Sequence, residues 1–229
     1  MAQDDSNAPN GGISIFGKIK DKLIGKKQAE AAAGKHLTGR TDAGHKERLP
    51  PGQRLVEKWP VLDLGLQPNI PQDKWKLEVE GAVEAPLVWQ WADFMAQPQF
   101  EDVSDIHCVT TWSLYDNKWA GVSAKHLLAL VRPKPTATHV VFESHDGYTT
   151  NVPLASFDDD DVLIAHSWQG QPITTEHGGP VRIILPKLYF WKSAKWVRRI
   201  VFLEGDKPGY WEVRGYHNVG DPWTEQRYG

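Results

Sequence analysis

The chain contains one cysteine, Cys108, which stands in the segment His-Cys-Val-Thr-Thr-Trp-Ser at residues 107–113. A lone thiol forms neither an intramolecular disulfide nor a thiolate cluster, so any special role must come from reactivity or from ligation of one metal centre. The alternative is a buried, inert thiol, the commoner role of a lone cysteine. A strand-like run over residues 103–106 predicts that Cys108 lies at a strand end facing a cleft. His107 would then point to the opposite face, which disfavours a protease-like cysteine nucleophile.

A second candidate is a segment rich in glycine, proline and basic residues near the C-terminal end of the chain. Adjacent glycines at residues 178–179 allow a ligand to approach the backbone closely. Arg182, Lys192 and Lys195 can gather on an anion through charge-assisted hydrogen bonds. Backbone amides of residues 193–195 can hold a phosphate in an anion nest. The alternative is a tight turn followed by surface cations.

Other patterns for metals and nucleic acids are weaker. The 9 histidines form no His-Glu-x-x-His motif, which disfavours a zinc site made by protein ligands alone. The aspartates at residues 158–161 lack the glycine and the alternating oxygen ligands of a calcium loop. Aromatic and basic side chains interleave over residues 191–199, as in sites for single-stranded nucleic acid. A strand there would place Arg198 and Arg199 on opposite faces and divide the patch, so we expect no nucleic-acid partner.

Composition and charge point to an ordinary globular protein without a strong global electrostatic preference. The chain has 229 residues, 40% hydrophobic content and 11 Trp, enough to fill a sizeable core. With 26 basic and 29 acidic side chains, the net charge of -3 excludes a general attraction to nucleic acid or acidic membranes. No apolar run reaches the roughly 18 residues of a spanning helix. We expect no transmembrane segment and, with an unpaired cysteine and no twin-arginine pair, a cytoplasmic location.

The chain divides into two parts by composition. Residues 1–49 are poor in large apolar side chains and are predicted to be a flexible N-terminal arm. Within the arm, Phe16, Ile19 and Leu23 have helical spacing beside several lysines, so a short basic amphipathic helix is an alternative to a solvated tail. Residues 50–229 are predicted to form the folded domain.

The folded part mixes short strands with short helices. Apolar and polar residues alternate over residues 75–79, which predicts a half-buried strand. Ser123 precedes a helical apolar stripe over residues 124–131, and prolines follow it. Further strands are predicted at residues 140–142, 162–164, 181–185 and 197–203. Because strands and helices do not alternate regularly, the pattern favours an α+β domain with mixed β-sheets and short helices over a doubly wound fold.

Four motifs occur together, and in order and spacing they resemble the molybdopterin domain of the sulfite oxidase family. They are Cys-Val-x-x-Trp-Ser at residues 108–113, Gly-x-Pro-x-Arg at 178–182, Lys-Ser-Ala-Lys at 192–195 and Gly-Tyr-His-Asn at 215–218. The chain is most similar in these motifs to bacterial sulfite-oxidase-like oxidoreductases and to the catalytic subunit of protein methionine sulfoxide reductase. The resemblance runs from about residue 49 to the C-terminus and implies the sulfite oxidase molybdopterin-binding fold.

The resemblance implies a role for each matching residue. Cys108 would ligate molybdenum together with the two dithiolene sulfurs of a pterin and oxygen ligands, and a soft thiolate suits such a centre. Tyr216 would lie near the metal as a second catalytic residue, although it also reads as a packed aromatic. The implied cofactor-binding residues are Pro60, Val61, Ser144, His177, Arg182, Ser193, Ala194 and Lys195.

Two positions depart from the methionine sulfoxide reductases. Thr110 replaces a carboxylate, which removes a charge beside the metal, and His177 replaces an asparagine, which adds a titratable group. The implied function is oxygen-atom transfer on a small-molecule substrate of the sulfite, sulfoxide or N-oxide type. Because the sequence contains no haem, iron–sulfur or dinucleotide motif, a separate electron-transfer partner is expected. A non-catalytic molybdopterin-binding carrier or sensor on the same fold is the alternative.

Overall fold

The computed structural model describes residues 48–229. The predicted arm, apart from its last two residues, lies outside the described residues. The candidate amphipathic helix with Phe16, Ile19 and Leu23 lies outside them as well.

Eleven strands, three short α-helices and four 3-10 turns make up the described part of the chain. The strands are β1 (Arg54–Leu55), β2 (Lys76–Gly81), β3 (Leu87–Gln90), β4 (Phe100–His107), β5 (Trp112–Ser123), β6 (His139–Ser144), β7 (Thr149–Pro153), β8 (Leu163–Trp168), β9 (Gln171–Pro172), β10 (Arg182–Ile184) and β11 (Val197–Leu203). The helices are α1 (Trp91–Met95), α2 (Ala124–Val131) and α3 (Leu154–Phe157). The 3-10 turns are Gln72–Lys74, Thr175–His177, Phe190–Lys192 and Glu212–Arg214.

The strands form two mixed sheets. A six-stranded sheet has the order β1-β5-β8-β10, with β4 paired to β5 and β9 paired to β8. A five-stranded sheet has the order β3-β2-β11-β6-β7. The pairs β1/β5 and β2/β11 are parallel and the others are antiparallel. The predicted α+β class with mixed sheets and short helices is confirmed.

Local signals account for several of these elements. Helix α2 begins where predicted, because the Ser123 hydroxyl accepts a hydrogen bond from the His126 amide at 3.1 Å. It ends at Val131, and the next residue, Arg132, adopts the left-handed conformation at φ 49°. In β2, Leu77 and Val79 are buried while their neighbours are more exposed, as the alternation predicted. The strands predicted from residues 140 to 203 are all present, with some ends shifted.

One detail of β11 contradicts the sequence interpretation. Alternation predicted that Arg198 and Arg199 point to opposite faces of a strand. The register between β11 and β6 shifts between Val197 and Arg199, so the strand contains an irregularity there. Both guanidinium groups therefore contact the same Glu143 carboxylate oxygen, at 3.1 Å and 3.4 Å. The predicted separation of the two arginines is wrong.

Buried side chains form two hydrophobic clusters. The larger cluster contains residues of both sheets, such as Phe142 and Phe202 of the five-stranded sheet and Ile164 of the six-stranded sheet. The smaller cluster contains Cys108 and Tyr216, which are far apart in sequence. The candidate site is therefore built at the smaller cluster. No helix within residues 48–229 is both long enough and apolar enough to cross a membrane.

Candidate functional site

A cavity of about 150 Å³ lies beside Cys108. Its walls are largely aromatic: Trp59, Trp112, Tyr148, Phe190, Trp191, Trp196, Trp211 and Tyr216. A few polar side chains interrupt these walls: Asp63, Thr110, Asp146, Arg182, Ser193 and Lys195. An apolar cavity with a small number of convergent polar groups is typical of a small-molecule or cofactor site.

Cys108 lies in the tight turn between β4 and β5, which confirms its predicted place at a strand end facing a cleft. The Cys108 amide donates to the Trp112 carbonyl at 2.8 Å, and the Thr111 amide donates to the Cys108 carbonyl at 3.0 Å. Thr111 has φ 76°, a left-handed conformation that is unfavourable for a β-branched residue. Such strain costs about 1–3 kcal/mol and persists only where the surroundings hold the backbone in place.

Neighbouring chain segments supply that support. The side-chain amide of Gln53 donates to the Cys108 carbonyl at 3.0 Å. The backbone amide of Arg54 donates to the Thr111 carbonyl at 2.9 Å. Arg54 belongs to β1, and Gln53 is the residue directly before it. Strand β1 pairs with β5 immediately after the turn. The position of the thiol is therefore set by tertiary contacts as well as by the turn itself.

The Cys108 thiol is 6% exposed, and its Sγ lies 3.2 Å from the Thr110 hydroxyl oxygen. Burial raises the pKa of the Cys108 thiol, although the Thr110 hydrogen bond and the charges of Arg227 and Lys195 oppose the shift. The hydrogen-bond partner of the thiol in the described chain is Thr110 and not His107, whose Nδ1 lies 2.8 Å from the Ser113 hydroxyl. A buried thiol in this environment needs a nearby positive centre to become a thiolate.

Protein groups alone do not make a metal site in the part of the chain that the structure describes. No group of three or more His, Cys, Asp or Glu side chains there is placed to hold a metal ion. A metal bound to Cys108 would therefore need its remaining ligands from a cofactor, from substrate or from water.

Arg182 brings a buried positive charge to the cavity wall. The residue is 1% exposed, and its Nη1 and Nη2 donate to the carbonyls of His177 at 2.7 Å and Ser193 at 2.9 Å. Burial lowers its pKa to about 9, so the guanidinium stays protonated at neutral pH. Among the described residues its Nε has no hydrogen-bond partner and no carboxylate forms an ion pair with it. Because a buried charge without a counter-charge is costly, this arrangement favours an anionic ligand.

His177 is buried against Trp59, with the ring centroids 4.0 Å apart, and its Nδ1 has no partner in residues 48–229. Burial, together with the charges of Arg182 and Lys195, lowers its pKa to about 3. The imidazole is therefore neutral at physiological pH. The titratable group that His177 adds therefore changes charge only in acid.

The structure brings six of the predicted site residues to the same cavity: Pro60, Cys108, Arg182, Ser193, Lys195 and Tyr216. Ser144, His177 and Ala194 are buried but do not form its wall, and Val61 is 38% exposed. The Ser144 hydroxyl is a buried polar atom with no partner in the described chain. Like His177 Nδ1, it is buried and lies off the cavity wall.

The basic loop after the buried strand β10 differs from the expectation in two ways. The amides of Ser193 and Ala194 each donate to a backbone carbonyl at 3.2 Å, so these two amides are already engaged and are not free to hold a phosphate. Lys192 is fully buried and does not line the cavity, so its predicted grouping with Arg182 and Lys195 on one anion is wrong. Lys195 does line the cavity, and its Nζ donates to the Glu176 carbonyl at 2.7 Å.

Several lining residues were not predicted, among them Trp59, Asp146, Tyr148 and Trp211. Trp59 directly precedes the predicted residue Pro60 in the sequence, and this adjacency was a usable signal. Asp146 and Tyr148 belong to the turn that follows β6, and a turn residue gives no sign of facing a cavity until the sheets are assembled.

Comparison with known proteins agrees with this site. A family profile described as "Oxidoreductase molybdopterin binding domain" matches residues 64–211. The uncharacterized oxidoreductase YuiH of Bacillus subtilis is 44% identical over 182 residues, covering 79% of this chain and 92% of that protein. The protein-methionine-sulfoxide reductase catalytic subunit MsrP of Ralstonia nicotianae is 28% identical, covering 64% of this chain and 49% of that protein. Mitochondrial sulfite oxidase of Rattus norvegicus is 27% identical, covering 65% of this chain and 33% of that enzyme.

A solved structure shows the same fold. The sulfane dehydrogenase SoxCD from Paracoccus pantotrophus matches with a TM-score of 0.61 at 17% identity, covering 98% of this chain and 62% of that chain. At this identity the likeness concerns the fold alone, and it confirms the predicted sulfite-oxidase-like architecture. With the family match over residues 64–211 and the relative of 44% identity, this chain is a molybdopterin-dependent oxidoreductase of the sulfite oxidase family.

Proposed function

We propose that the chain binds a molybdenum–molybdopterin cofactor in the cavity beside Cys108 and catalyses oxygen-atom transfer to or from a small substrate of the sulfite, sulfoxide or N-oxide type. One observation carries the proposal: a buried lone thiol and a buried guanidinium without a carboxylate partner, Cys108 and Arg182, line the same cavity. The thiol needs a positive centre and the guanidinium needs an anion. A metal held by an anionic, phosphate-bearing heterocycle supplies both.

The residues present fit such a group. Cys108 Sγ is the metal ligand that the chain would supply. Arg182 and Lys195 provide positive charge at the wall, and the Arg182 guanidinium lies 4.2 Å from the Phe190 ring centroid, which keeps its plane fixed. Ser144 and His177 carry buried polar atoms without partners in the described chain, and they would contact the cofactor only after a local rearrangement of the cavity wall. When bound, the cofactor supplies a centre that exchanges an oxygen atom together with two electrons.

The remaining predicted cofactor-binding residues would contribute in lesser ways. Pro60 and Ser193 form part of the cavity wall, where they would shape the space around the ligand. Val61 and Ala194 are not on the wall, so we propose that they act only through backbone placement of their neighbours.

We propose that Tyr216 orients the substrate. Its ring lines the cavity and is stacked on Trp211 at 4.9 Å between ring centroids. Trp191 meets it edge-on at 5.2 Å. Rings held in this way exclude water and keep the phenol in one orientation, from which its hydroxyl would donate a hydrogen bond to a substrate oxygen.

A separate electron-transfer partner protein completes the proposal. Each oxygen-atom transfer moves two electrons, and a chain with a single cysteine cannot hold an iron–sulfur cluster by cysteine ligands. The name of the Ralstonia relative describes it as a catalytic subunit, which is compatible with such a division of labour.

We propose the cytoplasm as the location, supported by the unpaired thiol of Cys108. Cell fractionation tests the location.

The deciding experiment uses the full chain purified from a host that makes molybdopterin. We expect molybdenum and pterin in equal amounts with the protein, and X-ray absorption that shows a third sulfur besides the two of the dithiolene. Rapid reduction by an artificial donor, followed by reoxidation with sulfoxides or N-oxides, tests turnover. Protein without molybdenum, or with dithiolene sulfur only, would overturn the proposal. Bound cofactor without turnover would instead support the carrier or sensor.

A further inference from the structure

Arg227 touches the turn that carries Cys108 and belongs to the segment that pairs with Tyr216. We propose that Arg227 is a positioning residue that holds the Cys108 turn in place by tying it to the segment around Tyr216. The inference rests on the function proposed above, because it concerns the placement of that site's two predicted catalytic residues. None of the four sequence motifs contains Arg227.

The side chain of Arg227 makes three contacts on the Cys108 side. Its Nη1 donates to the Val109 carbonyl at 2.6 Å, directly next to Cys108. Its Nη2 donates to the Pro51 carbonyl at 3.3 Å, and its guanidinium lies 5.0 Å from the Tyr189 ring centroid. The side chain is 14% exposed, so these contacts are largely shielded from water. A planar guanidinium can reach two carbonyls at once, whereas a lysine ammonium is a point charge.

The backbone around Arg227 makes the other half of the connection. The His217 amide donates to the Arg227 carbonyl at 3.2 Å. Tyr228 forms an antiparallel bridge with Tyr216, and their ring centroids are 5.2 Å apart. A shift of Arg227 would therefore move both the support of the Cys108 turn and the neighbour that packs on Tyr216.

The strained backbone of the turn gives this contact its importance. Thr111 holds a left-handed conformation, so the turn relaxes if its supports are removed. Gln53 and Arg54 hold the turn from the β1 side. Arg227 holds it from the C-terminal side through the Val109 carbonyl. Without Arg227 the turn would keep its support on one side only.

The first test measures alkylation of Cys108 in the cofactor-free protein under native conditions. Cys108 is the only thiol, so the rate reports on this turn alone. Loss of the Arg227 charge disfavours the thiolate, so the rates are compared at alkaline pH, where the thiol is ionised in both proteins. There we expect Arg227→Gln to raise the rate by roughly tenfold, because a charge-assisted hydrogen bond is lost. Arg227→Lys should give a smaller increase. Arg214→Gln is the matched control, because Arg214 donates to the Tyr210 carbonyl at 2.8 Å and lies 3.7 Å from that ring centroid.

The second test asks whether the C-terminal segment is part of the support. Tyr228→Ala removes the packing on Tyr216 without touching the turn. We expect it to raise the alkylation rate of Cys108 as well, and its effect should be smaller in the Arg227→Gln background than alone. Full additivity of the two effects, or no effect of Tyr228→Ala, would contradict the connection.

Two controls separate positioning from general loss of stability. Alkylation rates are measured at low urea concentrations, where a local opening gives a rate that does not depend on urea. If Arg227→Gln does not fold, Arg227→Lys carries the same comparison. An unchanged rate in the folded variant, or a rise only in proportion to global unfolding, would overturn the proposal. Absence of molybdenum in the wild-type protein would defeat the proposed function but leave this comparison decisive for the turn.

In cofactor-loaded protein, the spectroscopic signature of the metal gives a further readout. We expect Arg227→Gln to change the electron paramagnetic resonance spectrum of the molybdenum centre, because the turn that carries the proposed ligand Cys108 would lose a support. The Arg214→Gln spectrum should equal that of the wild type. Identical spectra for Arg227→Gln and the wild type would count against positioning of the ligand.

Discussion

Nζ of Lys192 lies 2.6 Å from Oε1 of Glu212, and the two side chains are 0% and 1% exposed. The same carboxylate oxygen accepts hydrogen bonds from the Thr150 hydroxyl at 2.8 Å and the Trp191 indole at 2.9 Å. Burial lowers the pKa of Lys192, while the charge of Glu212 opposes that shift. Since Trp191 lines the cavity and packs on Tyr216, this buried ion pair supports the cavity wall from behind.

Breaking this pair is predicted to be strongly destabilising. Glu212→Gln leaves the ammonium of Lys192 buried without a carboxylate, and such losses cost about 3–5 kcal/mol. Urea denaturation of the cofactor-free protein measures the change. The double variant Lys192→Met/Glu212→Gln removes both charges and should recover part of the loss. A decrease below about 1 kcal/mol for Glu212→Gln would show that the pair is not needed.

Replacement of Cys108 by serine is predicted to separate metal binding from folding. Serine preserves the size of the side chain but is a poor ligand for a soft site, so Cys108→Ser should keep the fold while losing or weakening molybdenum. Elemental analysis and circular dichroism of the two proteins, purified in parallel, measure the two effects. Full retention of metal and rate by Cys108→Ser would contradict the assignment of this thiol as a ligand.

The Thr110 hydroxyl is predicted to tune the potential of the metal through Cys108 Sγ. Hydrogen bonds to ligand sulfurs shift reduction potentials. Thr110→Val removes the 3.2 Å contact without changing size much. Without this hydrogen bond the thiolate would donate more charge to a bound metal and would stabilise its oxidised form, so the midpoint potential should fall. A hydrogen bond of about 1 kcal/mol corresponds to roughly 40 mV for a one-electron step.

A potentiometric titration followed by electron paramagnetic resonance measures that potential. Thr110→Ser retains the hydroxyl and should restore the wild-type value. Equal potentials in Thr110→Val and the wild type would show that the contact has no effect on the metal.

The stability of the cofactor-free protein is predicted to fall in acid partly because of His177. Its pKa is about 3 in the folded chain against an ordinary value of 6.5. At pH values between about 3 and 6.5, His177 binds a proton in the unfolded chain but not in the folded chain. This contribution to stability is therefore fully present above pH 6.5 and is lost as the pH falls toward 3. Linkage gives a loss of roughly 1.5 kcal/mol between pH 6.5 and pH 5.

His177→Asn removes this titration, because asparagine carries no proton to exchange. Urea denaturation of both proteins at several pH values should therefore show a shallower acid slope for the variant. Parallel slopes would mean that His177 is already accessible to protons in the folded protein.

The local sequence was sufficient to predict those elements whose stabilising contacts all lie within the element or beside it. The Ser123 cap, the apolar stripe after it and the following prolines predict α2 within its observed bounds, because all these interactions lie within a few residues of one another. The strand-like run over residues 103–106 likewise predicted that Cys108 lies at a strand end. These features depend on short-range chemistry that the order of residues already contains.

Only the tertiary structure decided which basic residues line the cavity, which side chains they contact and whether His177 carries a charge. Lys192 and Arg182 look alike as basic residues in the sequence, yet Lys192 pairs with Glu212 away from the cavity while Arg182 faces the cavity without a carboxylate. His177 is neutral because burial and two nearby cations suppress its protonation. Arg227 meets the Cys108 turn only in the folded chain. Burial and long-range proximity set the energy of a charge, and the linear order of residues specifies neither until the sheets assemble.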